Sequence, residues 1–313
     1  APSIQRWPLP FQEEALRLSK VRFLDRGDAG SPGPVAEPAW PQVFGNTPEL
    51  GNRPRLALAN WLTDPERNPL TARVWVNRIW QGYFGRGLVV TSGDFGTQGE
   101  APSHPELLDW LASELIDSGW STKHIHRLIL RSNTFRQSTL FSASNANQDP
   151  DNAALWRWPT HRLEAEAIRD SILAVSGELD STSGGPSVPL ARADSSHRRS
   201  LYLQQKRDNL PHQQMLFDSA NAVTSCARRR ISTVALQPLW LLNSEFMQAM
   251  STSLANRAKG GDAREQAERL VFLGLGRKAE TDERAELESL INASSLEDAA
   301  AVVLNTNEFL YVP

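Results

Sequence analysis

The sequence predicts a mainly α-helical protein, a compact helical domain with a small antiparallel β element and long ordered loops rich in Gly and Pro. Three observations predict it. Apolar residues recur at three- and four-residue spacing in most segments after Arg53, as in helices with one buried face. Helix start signals precede several of those runs: Asn68-Pro69, Ser103 with Glu106, Ser121 and Thr281. Period-two alternation is clearest in RRSLYLQQK, from Arg198, which reads as a strand.

Residues 1–52 read as an N-terminal arm and connector, and 53–313 as a single mainly helical domain. The arm holds a short helical candidate, PFQEEALRLSK. VRFLDRGDAGSPGPVAEPAWP follows, too dense in Gly and Pro for regular helix or a central strand, and reads as an extended connector. Pro54 then opens a helix through RLALANWLTD, with Leu56, Ala59, Trp61 and Leu62 on its inner face.

The organising stretch is 68–98. Pro69 suits a first helical turn, where its missing N–H costs nothing. Leu70, Val74 and Ile79, with Trp75 and Trp80, cover much of the helix. Arg73, Asn77 and Gln81 sit four residues apart and share one stripe, with Arg78 beside it. A glycine-rich loop follows, carrying Asp94, Gln98 and Glu100 as acid, amide and base. The expectation is a polar pocket shared by stripe and loop and walled by indoles. The alternative is a solvated stripe. Seven of the ten tryptophans fall between Trp61 and Trp158, which implies a large aromatic core or an aromatic-lined groove.

Ser103-His104-Pro105-Glu106 has the spacing of a capping box, and the helix after it sends Leu107, Leu108, Leu111 and Leu115 inward. Ser121 caps the next helix, with Ile125, Leu128 and Ile129 inside. Arg136 and Gln137 lie beyond its end. RLEAEAIRDSILAVSGELD is a helix ended by Gly177. Its Glu166 is flanked by Arg162 and Arg169, as surface pairs or as partners of a buried carboxylate. The strand from Arg198 is expected to pair with CARRRISTVALQ, placing the β element at about 198–233. Arg198, Arg199, Arg228, Arg229 and Arg230 on or beside that hairpin would form an anion site. A long helix over ALQPLWLLNSEFMQAMSTSLANRA has Leu239, Leu242, Phe246, Met250 and Leu254 inward. Amphipathic helices complete the chain, one capped by Thr281, and EFLYV ends it on a docked terminus.

Composition narrows the function. Hydrophobic residues at 40% and charged residues at 22% are ordinary for a globular protein. A net charge of −3 argues against a nucleic-acid binder, and no apolar run approaches the ~20 residues of a membrane span. Cys226 is the single cysteine, so the chain holds no internal disulfide, CxxCH haem attachment or cysteine zinc site. The six histidines lack ligand spacing, and no intrinsic metal is expected. The chain starts at Ala1 without a signal peptide and is expected to be a mature or trimmed product. No P-loop, HExxH, GxSxG or βαβ glycine fingerprint occurs.

The runs NPLTARVWVNRIWQGYFGRGLV, DFGTQGEAPSHPELLDWLA, GWSTKHIHRLILRSNTFRQST, RLEAEAIRD and FDSANAVTSCARRRISTVALQPLWLLN, in this order, resemble the carboxy-terminal uncharacterised domain of planctomycete cytochrome-c-domain proteins. The resemblance extends from about Phe23 onward. It implies a periplasmic or extracellular protein whose partners are an upstream domain or separate chain and a cytochrome c module. Any haem would lie on another module, and this chain would carry no cofactor of its own. The expected function is an accessory module binding an anionic or carbohydrate partner through Arg73, Asn77, Arg78, Trp80, Gln81, Gln98, Arg136, Gln137, Arg228 and Arg229. One alternative is a polysaccharide-active enzyme using Asp94 with Glu100 or His104 as acid and base. A second is a structural scaffold.

Overall fold

A computed structural model describes residues 21–36, 39–40 and 53–312. The PFQEEALRLSK candidate lies outside them. The described residues form thirteen α-helices and two two-stranded antiparallel sheets, the mainly α class expected. None of these helices is long and apolar enough to cross a membrane. The chain divides into two compact units, Ala1–Ile79 with His104–Arg127, and Trp80–Ser103 with Leu128–Pro313.

In the first unit, β1 (Arg22–Leu24) pairs with β2 (Pro32–Val35). The expected extended connector is thus a hairpin, turned at Arg26 and Gly27, both at positive φ. Pro32 and Pro34 fit because a two-stranded ribbon has only edges. α1 (Pro54–Thr63) buries Trp61 alone, stacked on Trp40 at 5.0 Å. Leu56 and Leu62, expected inward, are exposed. α3 (Pro105–Asp117) buries Leu108, Leu111, Ala112 and Leu115; α4 (Thr122–Arg131) begins in this unit, where it buries Ile125, and ends in the second, where it buries Ile129. The capping box does not form: His104 is the N-cap and makes no side-chain cap bond. Ser121 does cap, its Oγ accepting from the His124 N–H at 3.3 Å. α2 (Leu70–Phe84) begins in this unit and ends in the second.

The second unit holds the main core. It comprises α6 (Ala165–Ser176), α8 (Leu236–Asn243), α9 (Glu245–Ala258), α10 (Ala263–Leu275), α11 (Thr281–Ala293), α12 (Leu296–Leu304) and α13 (Asn307–Leu310), with the short α5 (Ala143–Gln148) and α7 (His212–Leu216) at its margins. Ile168, Ile172, Leu254, Leu270 and Leu304 are fully buried at its centre. α9 packs on α6 and α12, and α10 on α11 and α12. Alanines 255, 258, 267, 299 and 300 line these contacts, and an added Cβ on Gly274 would stand 2.6 Å from Val303. The helices are as close as small residues allow.

β3 (His161–Arg162) pairs with β4 (Tyr311–Val312), so the terminus is docked as expected. Three local expectations fail. The expected hairpin over 198–233 does not form: Ser200–Tyr202 is a 3-10 turn, 228–233 forms no strand, and only isolated bridges join Arg198 to Asp180, Leu203 to Val188 and Lys206 to Asn209. The backbone of 198–200 is instead held by side chains of α6: Arg169 donates to Arg198 O at 2.9 Å, and Asp170 accepts from Ser200 N at 2.7 Å. The long helix breaks at Ser244, which caps α9 by accepting from Met247 N. Leu239 and Leu242 consequently face solvent, and Gln237 and Leu241 are buried. α11 is capped by Glu280 with Glu283 rather than by Thr281.

Candidate functional site: a polar groove along α6

α6 is amphipathic. Ala165, Ile168, Ile172 and Leu173 enter the core, which leaves Glu166 and Asp170, four residues apart, on a shared outer face. With Ser171, Leu179, Arg199 to Leu201, Leu203, Gln205 and Arg229, they line an open groove of 990 Å³.

Its charges are matched internally. Arg229 grips Glu166 with both guanidinium arms, at 2.6 and 3.2 Å, and Ser219 Oγ donates to the same carboxylate at 3.0 Å. Burial opposes ionisation of Glu166, but the hydrogen bonds from Arg229, the backbone and Ser219 outweigh it and hold the group below the usual glutamate range. Glu164 stands 3.5 Å from the same guanidinium. Arg199 Nε donates to Asp170 at 3.2 Å. Beneath them the buried Arg169 donates to the carbonyls of Ala193, Ser196 and Arg198. Burial lowers its pKa, against the pull of Asp170 and Asp194. Arg169 thereby fixes 193–200 against α6 and positions the groove wall.

The other wall is a surface loop whose ends, Asp218 and Ser232, are clamped together. Asp218 accepts from Ser232 N at 2.8 Å, Ser232 Oγ at 2.7 Å and Arg162 Nη2 at 2.7 Å. Arg162 is buried and also donates to Ser232 O at 2.6 Å and Gln237 Oε1 at 3.0 Å. Burial again works against the Asp218 charge, and the Ser232 and Arg162 bonds override it, so its pKa is lowered. Asp218 itself has φ +63, unfavourable for a residue with a Cβ. This clamp presents Arg229 to the groove. Sequence spacing offered Arg162 and Arg169 as neighbours of Glu166, whereas Arg229, 63 residues away, is its partner.

Several residues expected at a site lie elsewhere in this unit. Gln81 accepts from Ser92 Oγ and donates to Ala227 O at 3.2 Å, tying the end of α2 to the glycine-rich loop and to the arginine-rich segment. Trp80 is buried and packs on Phe84, ring centroids 4.4 Å apart. Asp94, Gln98 and Glu100 are exposed. Asp94 Oδ1 accepts from Gly96 N at 2.8 Å, and Thr91 Oγ1 accepts from Glu100 N at 2.9 Å, so the loop is bonded to itself. Neither the α6 groove nor the smaller cavity beside Trp80 has these three in its lining. Arg136 donates to Arg131 O, and Gln137 to Leu155 O at 2.8 Å, both closing local chain. Arg228 is exposed.

In the first unit Arg73 donates to Asp109 at 2.6 Å and to Pro69 O at 2.8 Å. That bond pulls the Asp109 pKa down. Asn77 is buried, Arg78 exposed and His104 half-buried. Among the described residues no group of three or more His, Cys, Asp or Glu is placed to hold a metal.

Of the groove residues, sequence reasoning reached Glu166, Arg199 and Arg229 but missed Glu164, Asp170 and Gln205 as lining. The four-residue spacing of Glu166 and Asp170 was the available signal.

The chain belongs to the PSD1 family, proteins of unknown function (DUF1553), matched over residues 54–291. No curated protein and no solved structure matches it. An uncharacterised domain family, the coarser part of what the sequence led one to expect, is therefore what the match shows.

Proposed function

We propose that this chain is an accessory, non-catalytic binding module of an exported, cytochrome-associated multidomain planctomycete protein, and that the α6 groove takes a hydroxyl-rich carbohydrate. The association, the export and the placing of any haem on another module follow from the family resemblance.

The observation that carries the ligand class is the pairing of Glu166 with Arg229 and of Asp170 with Arg199 along one groove. A sugar hydroxyl both donates and accepts, so adjacent hydroxyls are served by a carboxylate and a guanidinium held side by side. Ser171, Ser200 and Gln205 add neutral partners, and Leu179, Leu201 and Leu203 offer apolar surface to the C–H face of a ring. A free anion would meet three carboxylates, Glu164, Glu166 and Asp170, against two guanidiniums. The groove therefore favours a neutral glycan over an acidic one.

A glycan array probed with wild type, Glu166→Gln and Arg229→Ala tests this. Neutral oligosaccharides should bind, and each substitution should weaken binding about tenfold, equivalent to ~1.4 kcal/mol. Binding confined to acidic glycans, or untouched by both substitutions, would contradict the proposal. Turnover of the bound glycans that is lost in Asp94→Asn would point instead to the enzyme built on Asp94 with Glu100 or His104.

A further inference from the structure

The segment 137–158 of the second unit holds a cation that no charge among the described residues matches. Its two ends are tied together: Gln137 donates to Leu155 O at 2.8 Å, and Trp158 N to Ser138 O at 2.9 Å. Trp158 is buried and packs on Phe84 and Phe135, which anchors the tie. Between the ends, Asp149 winds the chain into a tight loop. Its carboxylate accepts from Ala153 N and Ala154 N, and its carbonyl accepts from the Trp156 indole at 2.9 Å, so the orientation of that ring is fixed. Asn152 accepts from Arg157 N at 3.3 Å and donates to Arg157 O at 2.9 Å. One side chain thus holds both backbone groups of Arg157.

This frame presents the Arg157 side chain. Its guanidinium carbon lies 5.0 Å from the centre of the Trp156 ring and 5.6 Å from that of Phe141, and the two rings meet edge to face at 6.2 Å. Rings at such distances attract a cation through their π faces, which leaves the in-plane N–H groups of the guanidinium to bond elsewhere. Nε is buried without a partner, whereas no other polar atom of this half-buried side chain is shut off from solvent, so its Nη fork reaches the surface. Arg157 makes no ion pair or side-chain hydrogen bond among the described residues. Asp149 spends both oxygens on the loop amides, and the exposed Asp151 is not paired with it.

A charge taken partly out of water without a counter-charge costs free energy, and a ligand that brings the counter-charge recovers it. Phe141, in contact with the guanidinium, is 66% exposed, so the surface beside the fork is apolar. One guanidinium neutralises one charge, which fits a monoanion, whereas a phosphate dianion would set a spare charge against the phenyl ring. A carboxylate also has the planar two-oxygen shape that the fork takes bidentately.

We infer that Arg157, Trp156 and Phe141 form a second ligand site, which takes a carboxylate carried on an apolar body. The carboxylate oxygens accept from Nη1 and Nη2, and the body lies on the exposed part of Phe141. None of the three residues lines the α6 groove, and the inference is independent of what the groove binds.

Phenylacetate is the probe, titrated into the intact chain at neutral pH and read from the Trp156 indole N–H in heteronuclear NMR spectra, a resonance assigned by its loss in Trp156→Phe. Wild type should bind it saturably. Phenylethanol, which keeps the ring without the charge, acetate, which keeps the charge without the ring, and inorganic phosphate should each bind at least about tenfold more weakly. Arg157→Met keeps apolar packing against the rings and should lose about tenfold in affinity for phenylacetate. Arg157→Lys, which keeps the charge but not the fork, should fall between the two. Phe141→Ser should weaken phenylacetate and leave acetate unchanged. The absence of a saturable shift with phenylacetate would overturn the inference. So would phenylethanol binding as tightly as phenylacetate, which would leave an apolar patch alone, or wild-type affinity in Arg157→Met. Should Arg157→Met melt early, Arg157→Lys decides in its place, and wild-type affinity there would overturn the bidentate fork.

Discussion

Replacing Asp218 by Ala removes the acceptor of three hydrogen bonds that close the loop carrying Arg229. The consequence is set by what stays behind. The Arg162 side chain is 5% exposed, and without Asp218 its charge is left with carbonyl and amide oxygens alone. Breaking a buried pair from one side costs about 3–5 kcal/mol. Asp218 is 20% exposed, so water returns part of this, and the lower end, about 3 kcal/mol, is expected. Asp218→Asn keeps one of the two acceptor oxygens but removes the counter-charge of Arg162, for about 1.5–3 kcal/mol. Arg162→Met/Asp218→Leu leaves no orphaned charge and should regain much of the loss, yet it frees the loop, so groove binding should stay weak. Denaturant unfolding followed by tryptophan fluorescence gives the stabilities, and glycan titration gives the binding. An Asp218→Ala variant within about 0.5 kcal/mol of wild type, or a double variant that binds normally, would show that this clamp neither stabilises the fold nor presents Arg229.

Two more outcomes follow from the same geometry. Glu166 and Asp218 both have folded pKa values below their unfolded ones, so the stability they add is complete at neutral pH and is lost as pH falls through the depressed values. The denaturation midpoint should therefore drop on acidification below about pH 5, less steeply in Arg229→Ala. A midpoint that rises there would be inconsistent with ionised, paired carboxylates. Gly99→Ala would drive its new Cβ into the Asp94 carbonyl and to within 2.9 Å of Thr91 Oγ1, opening the glycine-rich loop at a cost of about 1–3 kcal/mol. Amide exchange at Gly96 and Glu100 should quicken while glycan binding holds. Lost binding would show that this loop belongs to the site.

What could be read from the chain follows the range of the interactions involved. α6 was legible from Ile168 and Ile172 inward and Gly177 at its end, because helix periodicity and a left-handed terminator are local. The final helices were legible for the same reason; the docking of EFLYV was read from its apolar character alone, and its distant partner β3 was not. The groove was not, since the Glu166–Arg229 contact joins residues 63 apart and spacing offered nearer arginines to the same carboxylate. The alternation in RRSLYLQQK read as a strand, but strand patterning does not register that Arg169 and Asp170 would take the backbone groups of Arg198 and Ser200, leaving a single bridge from Leu203 to Val188. Asp94 looked available for catalysis because its residue type says nothing of the turn it closes with Gly96. The break at Ser244 was a cap signal overridden by apolar spacing that runs through it.

The most direct test is isothermal titration of the intact chain with the neutral oligosaccharide that the array selects, repeated on Arg229→Ala and Asp170→Asn. Wild type should bind saturably, and both variants at least tenfold more weakly. Equal affinity in all three proteins would contradict a groove whose matched charges hold the ligand.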